Sequence, residues 1–282
     1  MRVLVTGASG PAGRTLLDQL RARGIWAIGT DLLPRRRRGD VEILRSLPAL
    51  DPGYVAQLRA MVEALDVDLV LPTVQEELPI VAAVGLPQAV IGPSAAVDVA
   101  HDKWLTALVL SQGGVAVPRT VCGGALSAAL IDWVGRPFVT KPRVSRGGRG
   151  VVVHRSWPPT VLLDDDQLLA EFLPGAEYAP NVFIADDPAD DVVVVLRKTG
   201  LKGGEVGNAT GVARVEFPRV GVLAVDAARA LGLHGPADVD IRLRADGTPC
   251  VIEVNARFGA NSAAAPEVLD AVLAAARKAV PA

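Results

Sequence analysis

Apolar positions along this chain follow two rhythms, one of period two or continuous and one of helical spacing. Residues 2–6 form a short apolar run, Gly7-Ala8-Ser9-Gly10-Pro11-Ala12-Gly13 breaks it, and Leu16, Leu17 and Leu20 follow at helical spacing. Residues 26–31 read as a second strand, completing a strand–helix–strand unit whose parallel strands need the crossover. A helix is predicted over 54–65, a buried strand over 68–72, a helix over 78–84 and a further strand over 89–92, closed by Pro93. Residues 1–95 therefore read as a small α/β sheet.

The alternation then changes. A helix over 103–112 leads through Gly113-Gly114 to a strand at 137–141, a glycine-rich turn and a returning strand at 151–154. From Ala170 onward strands dominate, with a helix at 219–231, a hairpin around Gly247 and a last helix from Pro266. Unit boundaries are expected near 96 and 170, giving segments 1–95, 96–169 and 170–282, in a mixed α/β and α+β chain with no internal repeat.

The hairpin carries the first chemistry. Asp246-Gly247 is a two-residue turn signal, and folding about it pairs residues so that Asp240 faces Glu253 and Asp238 faces Asn255. Alternation then puts these four on one face and Val239, Ile241, Leu243, Cys250, Ile252 and Val254 on the other. Like charges directly opposite are destabilising unless compensated, and a divalent cation would compensate. Carboxylate and amide oxygens without thiolate or imidazole suit Mg²⁺ or Mn²⁺. The other reading is a solvated acidic face balanced by Arg242 and Arg244.

Composition narrows the class. Of 282 residues half are apolar and 21% charged, as in globular proteins. The net charge of −2 argues against a general nucleic-acid footprint. The mean hydropathy of +0.33 comes mostly from Ala and Val. No stretch of about 18 uncharged apolar residues exists to span a bilayer, and residues 1–7 lack a secretory pattern. A cytoplasmic protein without membrane partners is expected. Cys122 and Cys250 build no disulfide framework, and His101, His154 and His234 show no metal-ligand spacing. The run Arg35-Arg36-Arg37-Arg38 reads as a solvated loop or a local anion contact.

Two glycine-rich segments invite a phosphate. Gly7, Gly10 and Gly13 lie between a strand and a helix, with Asp31 ending the next strand. This is where a dinucleotide can bind, although the spacing departs from the usual fingerprint, and the other reading is a tight strand–helix turn without ligand. Lys141-Pro142-Arg143-Val144-Ser145-Arg146-Gly147-Gly148-Arg149-Gly150 lies between two predicted strands and is not a Walker loop. Its glycines can fold over phosphates while Lys141 supplies charge. A phosphate cover together with a magnesium clamp implies ATP.

Lys103 in His101-Asp102-Lys103, Lys141 before the glycine loop, Glu171-Phe172-Leu173-Pro174-Gly175-Ala176-Glu177-Tyr178, and Asp240 with Glu253-Val254-Asn255-Ala256-Arg257 together resemble the ordered motifs of the ATP-grasp superfamily. The chain is most similar to its carbamoyl-phosphate-synthase-like branch, with which Arg197-Lys198 and Gly203-Gly204-Glu205 also agree. The resemblance implies a Rossmann-like pre-ATP-grasp domain followed by a two-lobed ATP-grasp fold. It implies that Lys103 and Lys141 contact the phosphates of ATP and that Gly147, Gly148 and Gly150 form a flap. Glu171, Phe172 and Leu173 would line the adenine and Glu177 would meet the ribose. Asp240, Glu253 and Asn255 would hold magnesium, and Arg257 would act with Lys141 on the transferred phosphoryl group.

The implied reaction activates a substrate carboxylate as an acyl phosphate, captured by an amine or a thiol, on small-molecule substrates and with a homodimer as one assembly. Two other functions stand beside it. One is an NAD(P)-dependent oxidoreductase using the N-terminal turn, and the other is a catalytically silent ATP-sensing partner.

Overall fold

The computed structural model describes residues 1–34, 42–156 and 163–279, so the arginine run at 35–38 lies outside the described residues. Strands β1 (Arg2–Val5), β2 (Trp26–Asp31), β3 (Ile43–Arg45) and β4 (Leu69–Leu71) form a parallel sheet in the order β3-β2-β1-β4. It is crossed by helices α1 (Pro11–Ala22) and α2 (Tyr54–Ala64). The β1–α1 turn needs its glycines for close approach. Gly7 has φ +57°, and a Cβ at Gly13 would lie 2.4 Å from the Gly7 carbonyl oxygen.

Helix α3 (Leu78–Val84) follows, but the strand expected over 89–92 reduces to one parallel bridge between Val70 and Ala89. Pro93 has no N–H to extend a ladder, and it leads directly into helix α4 (Ser94–His101), which periodicity did not reveal. Asp102 caps helix α5 (Lys103–Gln112), accepting from the Trp104 amide at 2.8 Å, and so sets Lys103 at the first helical position.

A small antiparallel sheet, ordered β5-β8-β6-β7, comprises β5 (Thr120–Cys122), β6 (Phe138–Pro142), β7 (Val152–His154) and β8 (Gln167–Glu171), with helix α6 (Ala128–Val134) against it. Helix α4 spans the boundary expected near 96 and strand β8 spans the one near 170.

The large sheet contains β9 (Glu177–Tyr178), β10 (Asn181–Ile184), β11 (Val192–Val194), β12 (Leu196–Leu201), β13 (Ala209–Arg214), β14 (Gly235–Leu243) and β15 (Pro249–Asn255). Its order is β11-β10-β14-β9-β12-β13, with β15 on β14. Helices α7 (Pro218–Ala230) and α8 (Pro266–Ala279) cover it.

The β14–β15 hairpin reaches its expected pairing by a different route. Arg244 N donates to Thr248 O at 2.8 Å, so the loop has three residues, Ala245, Asp246 and Gly247, and the adjoining pairs run Leu243–Pro249, Arg242–Cys250 and Ile241–Val251. A bulge at Ile252 then restores Asp240 opposite Glu253 and Asp238 opposite Asn255. The acidic register is thus as expected, while the apolar face is not: Val251 enters the core with Val254, and Ile252 turns to the cleft beside Glu253.

Packing ties the first sheet to the large one. Leu16, Leu17 and Leu20 of α1 share a core with Val268, Leu269 and Val272 of α8 and with Phe183 and Leu196 of the large sheet. At about 1.5–3 kcal/mol per buried aliphatic side chain, this stripe holds the first sheet against the cleft. Among the described residues no helix is long and apolar enough to cross a membrane.

Candidate active site

A cavity of about 290 Å³ opens between the small and large sheets. Its lining includes Lys103, Lys141, Gly147, Gly148, Glu171, Phe172, Leu173, Glu177, Asp240, Glu253, Asn255 and Arg257. Of the candidates drawn from the sequence, only Gly150 is absent from the wall. With φ +73° and Pro142 Cγ only 2.8 Å from where a Cβ would stand, it shapes the base of the loop instead.

Cations and carboxylates alternate across this cavity. Lys103 Nζ lies 3.1 Å from Glu253 Oε1 and donates to Ser145 O at 2.7 Å, joining the start of α5 to the glycine loop. Lys141 Nζ donates to Ile252 O at 3.3 Å, a carbonyl at the bulge. Burial lowers the Lys141 pKa to about 8; the Lys103 charge adds to the effect, while Glu253 and Asp240 oppose it.

Lys198, absent from the sequence-derived site set, bridges Glu177 Oε1 and Asp240 Oδ1 at 2.6 Å each. Burial lowers its pKa, but the two carboxylates outweigh burial and raise it. Glu177 is also within 3.4 Å of Arg242. Burial pushes the Glu177 carboxyl upward, against the pull of Lys198. Period two along β12 was the available signal for Lys198, since it shares a face with buried Leu196.

Behind this layer, Asp238 is buried and receives a hydrogen bond from Asn181 Nδ2 at 3.2 Å, with Arg257 Nη1 at 3.6 Å. Burial, with the Asp240 charge added, pushes its pKa up to about 7, while Arg257 pulls it down. Arg257 Nη2 donates to Asn255 Oδ1 at 3.0 Å. The guanidinium is thus braced from two strands.

The glycine loop lies over the cavity. A Cβ at Gly148 would stand 2.5 Å from Gly207 Cα, so this loop and the 202–208 turn meet backbone to backbone. At the opposite wall, the Glu171 carboxylate is held by Arg244 Nε and Nη2 at 3.1 Å each and by the Arg119 amide at 3.1 Å. Burial raises its pKa, and these donors bring it below the usual range. Glu171 therefore clamps the small sheet to the β14–β15 hairpin, leaving Phe172 and Leu173 as apolar wall.

Asp240, Glu253 and Asn255 offer only oxygen donors from paired positions of two strands, and both carboxylates draw a lysine cation. A like-charged cross-strand pair that recruits positive charge in this way fits a hard divalent cation.

The N-terminal turn behaves otherwise. Ala8 N donates to Thr30 O at 3.0 Å, Ser9 N to Asp31 Oδ2 at 2.9 Å and Gly10 N to Gly7 O at 2.8 Å. The amides that would cradle a pyrophosphate already have acceptors, one of them a carboxylate. The NAD(P) reading finds no support at this turn, whose glycines serve packing.

Comparison with known proteins agrees with this geometry. The ATP-grasp domain family matches residues 100–261. The chain is 28% identical over 181 residues to a D-alanine–D-alanine ligase of Cupriavidus taiwanensis, covering 57% of this chain and 55% of that protein. It is 30% identical over 182 residues to one of Xanthobacter autotrophicus, covering 57% and 59%. The chain thus matches little more than half the length of these relatives. Among solved structures, an L-amino acid ligase from Bacillus licheniformis superposes with a TM-score of 0.66 at 20% identity, covering 93% of this chain and 68% of that one. Biotin carboxylase from Campylobacter jejuni gives 0.71 at 15% identity, covering 99% and 72%.

Proposed function

This chain belongs to the ATP-grasp family, and from that premise we propose that it is an ATP-dependent carboxylate–amine ligase. The observation that carries the reading is the convergence of Lys103, Lys141, the Gly147–Gly148 cover, the Asp240/Glu253/Asn255 oxygen set and Arg257 on one cavity. Its relatives named as ligases support it.

Lys103 and Lys141 hold the phosphates of ATP, and the glycine loop covers them and excludes water. Phe172 and Leu173 give the adenine an apolar wall, and Glu177 offers the ribose the lone pairs that Lys198 and Arg242 leave open. Asp240, Glu253 and Asn255 would hold Mg²⁺ or Mn²⁺, whose charge neutralises phosphate oxygens when bound. A substrate carboxylate oxygen attacks the γ-phosphorus, the bond to the β–γ bridging oxygen breaks, and ADP leaves. Arg257, braced by Asn255 and Asp238, faces the acyl phosphate. A neutral amine then attacks its carbonyl carbon, phosphate departs, and the amine gives up a proton as the amide forms.

No enzyme nucleophile is required. Both cysteines are buried, and Cys250 has its thiol pKa pushed up to about 11 by burial.

The test is phosphate release from Mg-ATP by the purified chain over a panel of carboxylates and amines, with ATP binding measured in parallel. Release dependent on a carboxylate, and lost in Glu253→Gln, is expected. Absence of both ATP binding and phosphate release above background would overturn the proposal.

A further inference from the structure

A second cavity, of about 580 Å³, lies beside the first, at the carboxyl ends of the strands of the N-terminal sheet. Pro11, Gly147, Asn208, Arg257 and Ala260 line both. Open parallel sheets take ligands outside the carboxyl ends of their strands where the strand order reverses, and β1 and β4 flank that point here. Arg257, at the junction, already faces the acyl phosphate, so a substrate activated there extends the rest of its body into the second cavity.

The charges of this cavity are unevenly committed. Its acidic side chains are all engaged: Asp31 accepts from the Ser9 amide at 2.9 Å and the Leu33 amide at 3.2 Å, and Glu76 pairs with Arg146 at 2.9 Å. Glu77 accepts from Thr6 Oγ1, from Tyr54 OH at 2.7 Å and from the amides of Thr73 and Val74 at 3.1 and 3.0 Å. Of the three guanidiniums in the lining, Arg146 is thus neutralised, and Arg257 donates to Asn255 Oδ1 and Phe258 O at 3.0 Å each. Arg149 is the one left over. Among the described residues its guanidinium has no ion pair and no hydrogen bond, and the side-chain amide of Asn208 has no hydrogen bond either.

The backbone fixes where Arg149 stands. It is the only residue with a side chain in 147–150, and the glycines on both sides of it have positive φ. Gly148 rests on Gly207 and Gly150 on Pro142, each too closely to admit a Cβ. A guanidinium on a turn pinned in this way loses less freedom on meeting an anion than one on a free loop. The same loop reaches the ATP cavity, where Ser145 O accepts from Lys103 Nζ at 2.7 Å and Gly147 and Gly148 form part of the wall. An anion on Arg149 therefore also holds the cover in place.

The rest of the rim is apolar. Leu47 and Pro48 stand in the lining with Leu32 and Leu50, which are 50% and 85% exposed. Such a surface suits the hydrocarbon part of a ligand.

We infer that the carboxylate substrate carries a second acidic group, a carboxylate or a phosphate, joined to the first by an apolar chain. The first acid is activated beside Arg257, and the second accepts hydrogen bonds from the Arg149 guanidinium and the Asn208 amide. Arg149 is then the residue that selects the substrate. This rests on the ligase reading above.

Hydroxylamine tests the assignment without the natural amine: its nitrogen attacks the acyl carbon, phosphate leaves, and loss of a proton gives a hydroxamate. The probes are glutarate, 4-phosphonobutyrate and pentanoate, one carboxylate on three methylenes ending in a carboxylate, a phosphonate or a methyl group. Succinate, 3-phosphonopropionate and butyrate repeat the series with two methylenes. With Mg-ATP and the full chain, the better two-acid probe is expected to exceed its methyl-ended counterpart in kcat/KM by at least about tenfold, the worth of a charge-assisted hydrogen bond. Whichever of carboxylate and phosphonate leads identifies the second group. Arg149→Gln should bring that ratio close to one, and Arg149→Lys should keep part of it, since a point charge replaces the planar fork. In calorimetry, the preferred two-acid probe should tighten binding of a non-hydrolysable Mg-ATP analogue by about fivefold or more, an effect lost in Arg149→Gln. A methyl-ended acid equal to both two-acid probes, a ratio retained in Arg149→Gln, or ATP binding without hydroxamate from any probe would each overturn the assignment. Failure of Mg-ATP to bind overturns the ligase reading itself, so the two failures are told apart by calorimetry.

Discussion

Lys141 is expected to make ATP binding pH-dependent in a range where ordinary lysines are silent. Its ammonium sits on the Ile252 carbonyl at 3.3 Å, buried and near the Lys103 charge, and its pKa is lowered to about 8. A lysine with a folded pKa below its unfolded value binds fewer protons when folded. Without nucleotide its effect on stability therefore improves as pH rises from about 8 toward the unfolded value of 10.5. Phosphate oxygens reverse the preference by favouring the ammonium. Free protein with a pKa of about 8 is roughly one-tenth protonated at pH 9 and nine-tenths at pH 7, so nucleotide binding takes up roughly 0.9 and 0.1 protons respectively. The Kd for Mg-ATP should rise about tenfold between these values. Titration calorimetry in two buffers of different ionisation enthalpy reads the proton count directly. In Lys141→Arg the guanidinium stays charged, and the uptake at pH 9 should vanish. Equal uptake at pH 7 and pH 9, or uptake retained in the arginine variant, would refute the contact between Lys141 and the phosphates.

Further expectations follow from the same geometry. Lys198→Met leaves Glu177 and Asp240 facing each other with one cation fewer and should cost about 3–5 kcal/mol in urea denaturation at pH 7.5. That loss should shrink as pH falls, because burial raises the Glu177 pKa and a protonated Glu177 no longer needs the cation. Gly148→Val sets a Cβ 2.5 Å from Gly207 Cα at a residue with φ +73°, holding the glycine loop off its partner turn. Phosphate release should fall roughly 10²-fold while the thermal midpoint barely moves, and equal activity would show that closure is not needed. Glu77→Gln turns an amide NH₂ toward a site built of donors and should destabilise the fold by about 1–3 kcal/mol, read by thermal denaturation.

Much of the candidate cavity was legible in the chain itself. Period two along β14 and β15 placed Asp238, Asp240, Glu253 and Asn255 on one face because side chains alternate whatever surrounds them. The register came out right through two departures that cancel: the loop is one residue longer than the Asp246-Gly247 signal implied, and the bulge at Ile252 restores the offset. Neither departure is a local preference. The bulge sits where Lys141 Nζ from the small sheet meets the Ile252 carbonyl, a contact between strands more than a hundred residues apart.

The sequence by itself determined the elements with strong periodicity, the chemistry of the oxygen set and the two lysines, and the order of the motifs. All of these depend on residue type and short-range spacing. The tertiary structure decided that Lys198 stands between Glu177 and Asp240, that Asp31 occupies the N-terminal turn, and that a second cavity opens onto Arg257. These arise where separate sheets meet, and long-range packing leaves no period in a linear pattern from which they could be read.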